Sequence, residues 1–203
     1  MLITAAEERK KGLTALYIDG EYAVSVDTVT LISSGKKAGS EISDEELYEL
    51  IGNSRINRAK EKALYLMEYR SRTRKEIWDR LVPLFGETAA QAALDRLEEL
   101  GLINDESYAR ELAEQLITKK HYSRDRTVYE LIKKGIDKET AEEIADEYEV
   151  EPCQQIRALI ETKYARAMSD EKGRARTVNS LRAMGFRWSD IREVMSDYEE
   201  YDD

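Results

Sequence analysis

Cysteine and histidine are almost missing from this chain of 203 residues, and each shortage excludes a class of protein. The single cysteine, Cys153, cannot form an internal disulfide, so we expect a reducing, cytoplasmic environment. The single histidine, His121, and the lack of CxxC, HExxH and GxxxxGK(S/T) patterns leave zinc, metalloprotease and P-loop sites without their ligands. A helix N-terminus would lower the pKa of the Cys153 thiol, but plain packing is the favoured interpretation. We therefore expect no enzyme, no metal and no cofactor.

Long apolar runs and proline are scarce as well. No segment approaches the roughly 18 apolar residues of a membrane span. The N-terminus lacks a signal-peptide layout, so we expect no membrane partner. With only two prolines, 36% charged residues and 41% apolar residues, the composition predicts a mostly helical protein. The net charge of −10 argues against a general nucleic-acid coat, although net charge hides local patches.

Residues 1–26 have the alternating pattern of β-strands. Asp19-Gly20 lies between two stretches rich in Tyr, Val and Ile, which is the strongest short-range signal for a hairpin. Residues 2–8 are expected to supply a third strand. The next stretch, Thr-Val-Thr-Leu-Ile at 28–32, fits either a strand or a short helix, and both remain open.

A capping box marks the first clear helix of the chain. Ser43 and Glu46 hold the two positions of the box, and apolar residues follow at helical spacing. We expect this helix to stop near Gly52-Asn53.

The remainder of the chain contains an internal repeat of about 50 residues. Residues 123–135, SRDRTVYELIKKG, and 173–185, GRARTVNSLRAMG, share Arg-x-Arg-Thr-Val, a leucine and a closing glycine in one frame. Apolar residues after each glycine follow the i, i+3, i+4, i+7 spacing of a buried helical face. A first unit fits less strictly, since its Gly86 comes one residue late. Each unit also opens with a helix, at about 55–70, 105–120 and 152–167.

These patterns predict a mostly α fold, in which three tandem three-helix repeats follow a small N-terminal region that contains a β-hairpin. The predicted boundaries are 1–54 for the N-terminal region, 55–104 for repeat 1, 105–150 for repeat 2 and 151–203 for repeat 3. A three-helix unit cannot hide its apolar stripes alone, and stacking along a line is the usual solution. An elongated, curved array is therefore favoured, and a single compact bundle of nine helices is the alternative.

The turn between the first and second helix of each unit is basic, whereas the third helices are acidic. Four cations lie where a first helix ends, a place that the helix dipole favours: Arg70, Lys119, Lys120 and Arg166. Five arginines lie instead in the first turn of a second helix: Arg74, Arg124, Arg126, Arg174 and Arg176. The dipole disfavours a cation there by roughly 0.3–1 kcal/mol, so the repeated placement requires a compensation.

Two compensations remain open. One is an anionic partner held by the arginines and by the N–H groups of the helix N-terminus. The other is a set of intramolecular salt bridges with the acidic third helices. If the repeats stack regularly, the cations form a basic stripe that suits a polymer. The candidate residues for binding a protein partner or DNA are Arg70, Arg72, Arg74, Lys75, Lys119, Lys120, Arg124, Arg126, Lys172, Arg174 and Arg176.

Three segments resemble the RecX family of bacterial recombination regulators. They are LEELGLINDESYAREL at 97–112, RSRTRKEIWDRL before it and MGFRWSDIREVM after it. The resemblance runs through about residues 55–203, and the YIDGEYAVSV hairpin is similar to the N-terminal region of some members. The stretch from Leu100 to Arg110 is the most specific.

This resemblance implies a non-enzymatic protein that binds the RecA recombinase filament on DNA and lies along its helical groove. By bridging successive protomers it would restrain ATP turnover and strand exchange in recombination, DNA repair and the SOS response. The resemblance also leaves room for direct contact with single- or double-stranded DNA, and we expect a monomer. A stand-alone nucleic-acid-binding repeat protein is the alternative function.

Overall fold

The computed structural model describes residues 1–199, and residues 200–203 of the predicted repeat 3 lie outside the described residues. The chain divides into two compact units, of which the first is Met1–Asn104 and the second begins at Asp105. The N-terminal region and repeat 1 belong to the first unit. Repeats 2 and 3 belong to the second.

Three antiparallel strands form the N-terminal sheet, in the order β1 (Ile3–Arg9), β2 (Leu13–Ile18) and β3 (Glu21–Asp27). Asp19 and Gly20 connect β2 to β3 with φ angles of 51° and 93°, the left-handed geometry that a tight hairpin turn requires. The predicted hairpin and third strand are both confirmed. The sheet buries Ile3, Leu16 and Val26 against the helices that follow.

The ambiguous stretch after β3 is a helix, α1 (Thr28–Ser33). The carboxylate of Asp27 caps it by accepting hydrogen bonds from Thr30 N and from Asn57 Nδ2, each at 2.8 Å. Burial raises the pKa of Asp27, but these hydrogen bonds outweigh burial and the net pKa is lowered. The cap therefore stabilises a helix and outweighs the strand propensity of Thr-Val-Thr.

The long helix α2 (Asp44–Tyr69) begins at the predicted capping box. Glu46 N donates to Ser43 Oγ at 3.2 Å, and Ser43 N donates to a Glu46 carboxylate oxygen at 2.9 Å. These two hydrogen bonds satisfy N–H groups that have no partner inside the helix. The box is confirmed.

The prediction that this helix ends near Gly52-Asn53 is wrong, because α2 runs on to Tyr69. Ser54 Oγ accepts a buried hydrogen bond from Asp27 N at 2.7 Å, which ties the middle of the helix to the sheet. The buried face continues through Ala59, which is fully buried. These contacts outweigh the roughly 1 kcal/mol that a glycine costs inside a helix. The proposed boundary between residues 54 and 55 consequently falls inside α2.

The three predicted repeats are present as triplets of helices, and the mostly α fold class is confirmed. Repeat 1 joins the C-terminal part of α2 to α3 (Arg74–Phe85) and α4 (Glu87–Glu99). Repeat 2 contains α5 (Asp105–Glu114) with a π-helical turn (Gln115–Lys119), α6 (Arg124–Lys133) and α7 (Lys138–Asp146). Repeat 3 contains α8 (Pro152–Leu159), a π-helical turn (Ile160–Tyr164), a 3-10 turn (Ala165–Ser169), α9 (Glu171–Ala183) and α10 (Trp188–Glu199). The elongated, curved arrangement stays a prediction.

Each repeat has its own apolar core. Leu81, Leu131 and Leu181 hold the same position in the three second helices, and each is 0% exposed. Gly135 and Gly185 end α6 and α9 with φ of 96° and 91°, a conformation that glycine adopts at little cost. The repeated leucine and glycine therefore fix the packing and the end of the second helix.

Repeats 2 and 3 pack against each other within the second unit. Ser123 N at the start of α6 donates to the carbonyl oxygen of Met184 at the end of α9, at 3.0 Å. Arg187, in the loop before α10, donates two hydrogen bonds to Asp125 at 2.8 and 3.0 Å. The start of one second helix thus meets the end of the next.

Candidate functional site

Arg74 and Arg124 are the first residues of α3 and α6, as predicted. Each follows an N-cap whose side-chain oxygen accepts a hydrogen bond at 3.2 Å from the third residue of the helix. In α6 that third residue is Arg126. All three arginines therefore lie in a first turn, where the exposed N–H groups of the helix disfavour a cation.

The second helix of repeat 3 begins at a different point. Its N-cap is Asp170, whose carboxylate accepts a hydrogen bond from Gly173 N at 2.8 Å. Gly173 stands where the other repeats have a Thr or Ser cap, and a Cβ there would overlap the carbonyl of Ala167. Arg174 is therefore the fourth residue of α9 and Arg176 the sixth. The prediction that Arg176 lies in the first turn is wrong, because Gly173 has no side-chain oxygen with which to cap the helix, and α9 starts earlier, after its cap Asp170.

Arg74 and Arg124 form ion pairs with the third helices of their own repeats. Arg74 contacts Asp95 at 2.5 Å and Glu98 at 2.6 Å. Arg124 donates to both oxygens of Asp146, at 2.5 and 2.7 Å. Hydrogen bonding from these arginines lowers the pKa of Asp95 and of Asp146. For these two arginines, intramolecular salt bridges therefore compensate for the unfavourable interaction with the helix dipole.

Arg126 is held by a carboxylate and two aromatic rings. It forms an ion pair with Glu130 at 2.6 Å, and its guanidinium lies 5.6 Å from the centre of the Tyr122 ring and 5.2 Å from that of Tyr129. Lys120 also approaches Tyr122, with its Nζ 5.8 Å from the ring centre. Contacts of this kind are worth about 0.5–1 kcal/mol at exposed sites.

The predicted cations of repeat 1 also have local partners. Arg70 pairs with Glu76 at 3.0 Å, and Lys75 pairs with Asp79 at 3.1 Å. Arg72 Nε donates to a backbone carbonyl near the end of α2 at 2.9 Å. Exposed pairs of this kind contribute little to stability and exchange readily with an external anion.

Five predicted cations have no ion pair within residues 1–199: Arg72, Lys119, Lys120, Lys172 and Arg176. Of these, Arg72 is held by a backbone carbonyl and Lys120 approaches the Tyr122 ring. Lys172 and Arg176 are both exposed on α9. The residue that would pair with Arg176, as Glu130 pairs with Arg126, is Ser180. Among the described cations of the site, these two on α9 and the exposed Lys119 are therefore open to a partner.

Repeat 3 has lost carboxylates that neutralise repeat 2. At positions fifty residues apart, Asp125, Glu130, Glu142 and Asp146 of repeat 2 are replaced by Ala175, Ser180, Arg192 and Ser196. The helix α9 consequently contains four cations and one carboxylate, although the chain has a net charge of −10. This helix is therefore locally basic within an acidic chain. Arg192 and Trp188, which is 58% exposed, belong to this surface and are absent from the predicted residues. Both residues could have been found from the sequence by aligning repeats 2 and 3 and asking which charged residues of repeat 2 are replaced in repeat 3.

The single cysteine is not activated by its helix start. Burial raises the pKa of the Cys153 thiol, and the carboxylates of Glu193 and Glu151 raise it further. Within residues 1–199, His, Cys, Asp and Glu side chains nowhere form a group of three suited to a metal ion. In the same part of the chain, no helix is both long and apolar enough to cross a membrane.

The fold defines the class of α-helical repeat proteins built from tandem three-helix units. The family model for the first three-helix domain of RecX matches residues 59–97, and that for the second three-helix domain matches residues 104–144. The regulatory protein RecX of Caldanaerobacter subterraneus subsp. tengcongensis is 34% identical over 163 residues, which cover 77% of this chain and 82% of the relative. That of Clostridioides difficile is 23% identical over 209 residues, 99% of each chain. The chain belongs to the RecX family of regulatory proteins.

Two solved structures have a similar fold. A crystal structure of a regulatory protein RecX has a TM-score of 0.68 at 20% identity and covers 96% of this chain and 98% of its own. At that identity the likeness concerns the fold alone. The crystal structure of RecX from Lactobacillus salivarius has a TM-score of 0.59 at 26% identity, over 71% of this chain and 97% of its own.

Proposed function

We propose that this protein is a non-enzymatic regulator that binds the RecA filament on DNA, lies along its groove and inhibits its ATP turnover and strand exchange. The observation that carries the proposal is membership of the RecX family, shown by a relative at 34% identity. We infer RecA as the partner because the segment 97–112 and its flanking motifs resemble the RecX family.

The repeated architecture suits a periodic partner. Similar three-helix units offer similar surfaces, and each unit that binds raises the effective concentration of the next. A protein that contacts successive protomers favours the one filament conformation that it fits. Inhibition follows because ATP turnover and strand exchange require the protomers to change conformation.

We propose that Lys172 and Arg176 make the strongest electrostatic contacts of the site. Arg74 and Arg124 are mostly engaged by carboxylates of their own repeats, so a partner would have to displace those carboxylates. Lys172 and Arg176 have no ion pair within residues 1–199, so a partner meets them at a lower cost. The other candidate residues remain predicted contacts.

The test is the ATPase of RecA on single-stranded DNA with this protein added at a stoichiometric ratio. The proposal predicts a lower rate of hydrolysis, whereas an equal amount of an inert carrier protein has no effect. An unchanged rate, at concentrations where the protein is fully folded, would contradict the proposal.

A stand-alone nucleic-acid-binding protein is the second candidate, and the basic helix α9 favours it. Such a protein binds bare single-stranded DNA, and its affinity falls as the salt concentration rises. In a plot of log affinity against log salt concentration, the slope is about −0.7 for each phosphate contacted. Affinity for bare DNA without any effect on RecA would support this second function and contradict the first.

We also propose the domain boundaries 1–54, 55–104, 105–150 and 151–203, a monomeric state and a cytoplasmic location. The single cysteine of the chain supports the reducing compartment. Light scattering during size-exclusion chromatography measures the monomer directly, and a mass twice that of the chain would overturn it.

A further inference from the structure

A groove of about 750 Å³ lies between α9 and α10 of repeat 3. Its apolar side is formed by Val178 and Met195, and the indole of Trp188 lines it while 58% exposed to solvent. Two arginines, Arg174 and Arg192, supply the polar side. An exposed indole and two guanidinium groups therefore line the same groove.

The same positions of repeat 2 are filled by charge pairs. Arg124 is bound by Asp146, and Lys138 lies 3.6 Å from Glu142. Fifty residues later, Lys138 is replaced by Trp188 and the two carboxylates are replaced by Arg192 and Ser196. The substitutions remove both acids and add an aromatic ring, and the number of cations stays the same because Arg192 makes up for the loss of Lys138.

Among the described residues that line the groove, the cations outnumber the carboxylates. Arg192 is exposed and has no ion pair within residues 1–199. Glu171, the first residue of α9, is the one carboxylate among the described residues that line the groove. A groove with an excess of cations and an open aromatic face is complementary to a group that is both anionic and planar.

We propose that this groove binds single-stranded DNA, with one base stacked on Trp188 and the adjacent phosphate bound by Arg192. Stacking on an aromatic side chain is a general means of holding single strands, because every base has a π-face. A duplex hides those faces, and an acidic peptide has carboxylates for the arginines but no planar ring for the indole. The inference deepens the proposed function, since it identifies where this protein touches the strand inside the filament.

Tryptophan fluorescence tests the stacking directly. An oligothymidylate should quench the emission of the full chain, and Trp188→Phe should abolish the quenching because the other tryptophan, Trp78, lies in repeat 1. Trp188→Ala should weaken binding on the order of tenfold. The matched control is Lys138→Ala at the same position of repeat 2, which should bind like the wild type.

A charge variant tests the role of Arg192 while leaving the indole in place. The double substitution Arg192→Glu with Ser196→Asp restores the acids of repeat 2, and we expect it to lose strand binding and part of the salt dependence. Both positions line an open groove, so helicity by circular dichroism should not change. Full binding by this variant or by Trp188→Ala would overturn the proposal. So would an oligoglutamate peptide that competes as well as DNA, or a strong preference for oligouridylate.

The outcome is separable from that of the proposed function. Inhibition of the RecA ATPase without affinity for the oligothymidylate would contradict the proposed DNA-binding groove and still support the proposed regulatory function. Affinity for the oligothymidylate without any effect on RecA would do the reverse.

Discussion

Ser123 Oγ donates a hydrogen bond to the carbonyl oxygen of Gly185 at 2.8 Å and so joins the start of α6 to the end of α9. A Cβ at position 185 would overlap the Ser123 hydroxyl and the Arg126 side chain. Glycine is thus required twice, once for the positive φ of 91° and once for the close approach of repeats 2 and 3. Gly101 ends α4 with a φ of 69° but has open space around its Cα.

These two glycines predict different costs for the same substitution. Gly101→Ala should lower the free energy of unfolding by about 1–2 kcal/mol, the cost of the left-handed backbone. Gly185→Ala should cost a further 1–3 kcal/mol or so, because the added methyl group must push Ser123 or Arg126 aside. Urea unfolding followed by circular dichroism measures both variants. Equal losses would show that repeats 2 and 3 do not need this contact.

The leucine of the repeat predicts the stability of each core. Leu131→Ala and Leu181→Ala remove fully buried side chains, and each should cost about 2–5 kcal/mol. Ile132→Ala, at a residue 42% exposed on the same helix as Leu131, serves as the control and should cost much less. Comparable losses at Leu131 and Ile132 would contradict the packing of repeat 2.

The ion pair of Arg124 with Asp146 predicts a dependence on pH. The pKa of Asp146 is lowered from 3.8, so the pair stabilises the folded chain above that value, and this contribution is lost as the pH falls through the folded-state pKa. Asp146→Asn should therefore be less stable than the wild type near neutral pH, and the difference should vanish in acid. Unfolding in urea at low ionic strength measures the difference, since salt screens an exposed pair. A difference that persists below the folded-state pKa would assign the effect to packing.

The stacked array predicts the dimensions of the molecule in solution. An elongated arrangement should give a radius of gyration well above the roughly 17 Å of a compact chain of this length. Small-angle scattering measures it, and a value near the compact limit would favour the nine-helix bundle.

Local patterns predicted the elements of this fold where local chemistry decides them. Asp19-Gly20 and the capping box at Ser43 each require only neighbouring residues, and both are present. The end of α2 could not be predicted in this way. Its glycine is overruled by the hydrogen bond between Ser54 and Asp27, which are far apart in the chain.

The candidate site was predictable only in part for a similar reason. The positions of Arg74 and Arg124 follow from the repeat, but their partners Asp95 and Asp146 depend on how closely second and third helices pack. That distance is a tertiary property. The early start of α9 depends likewise on Gly173 touching the preceding turn.

The most direct measurement compares the affinities of charge-reversal variants for the RecA filament on DNA. Lys172→Glu with Arg176→Glu should bind far more weakly than the wild type, whereas Lys10→Glu with Lys11→Glu, an equal change of charge in the exposed β1–β2 turn, should bind normally. Circular dichroism and urea unfolding should show both variants folded. Full binding by the α9 variant, or equal losses in the two, would contradict the account.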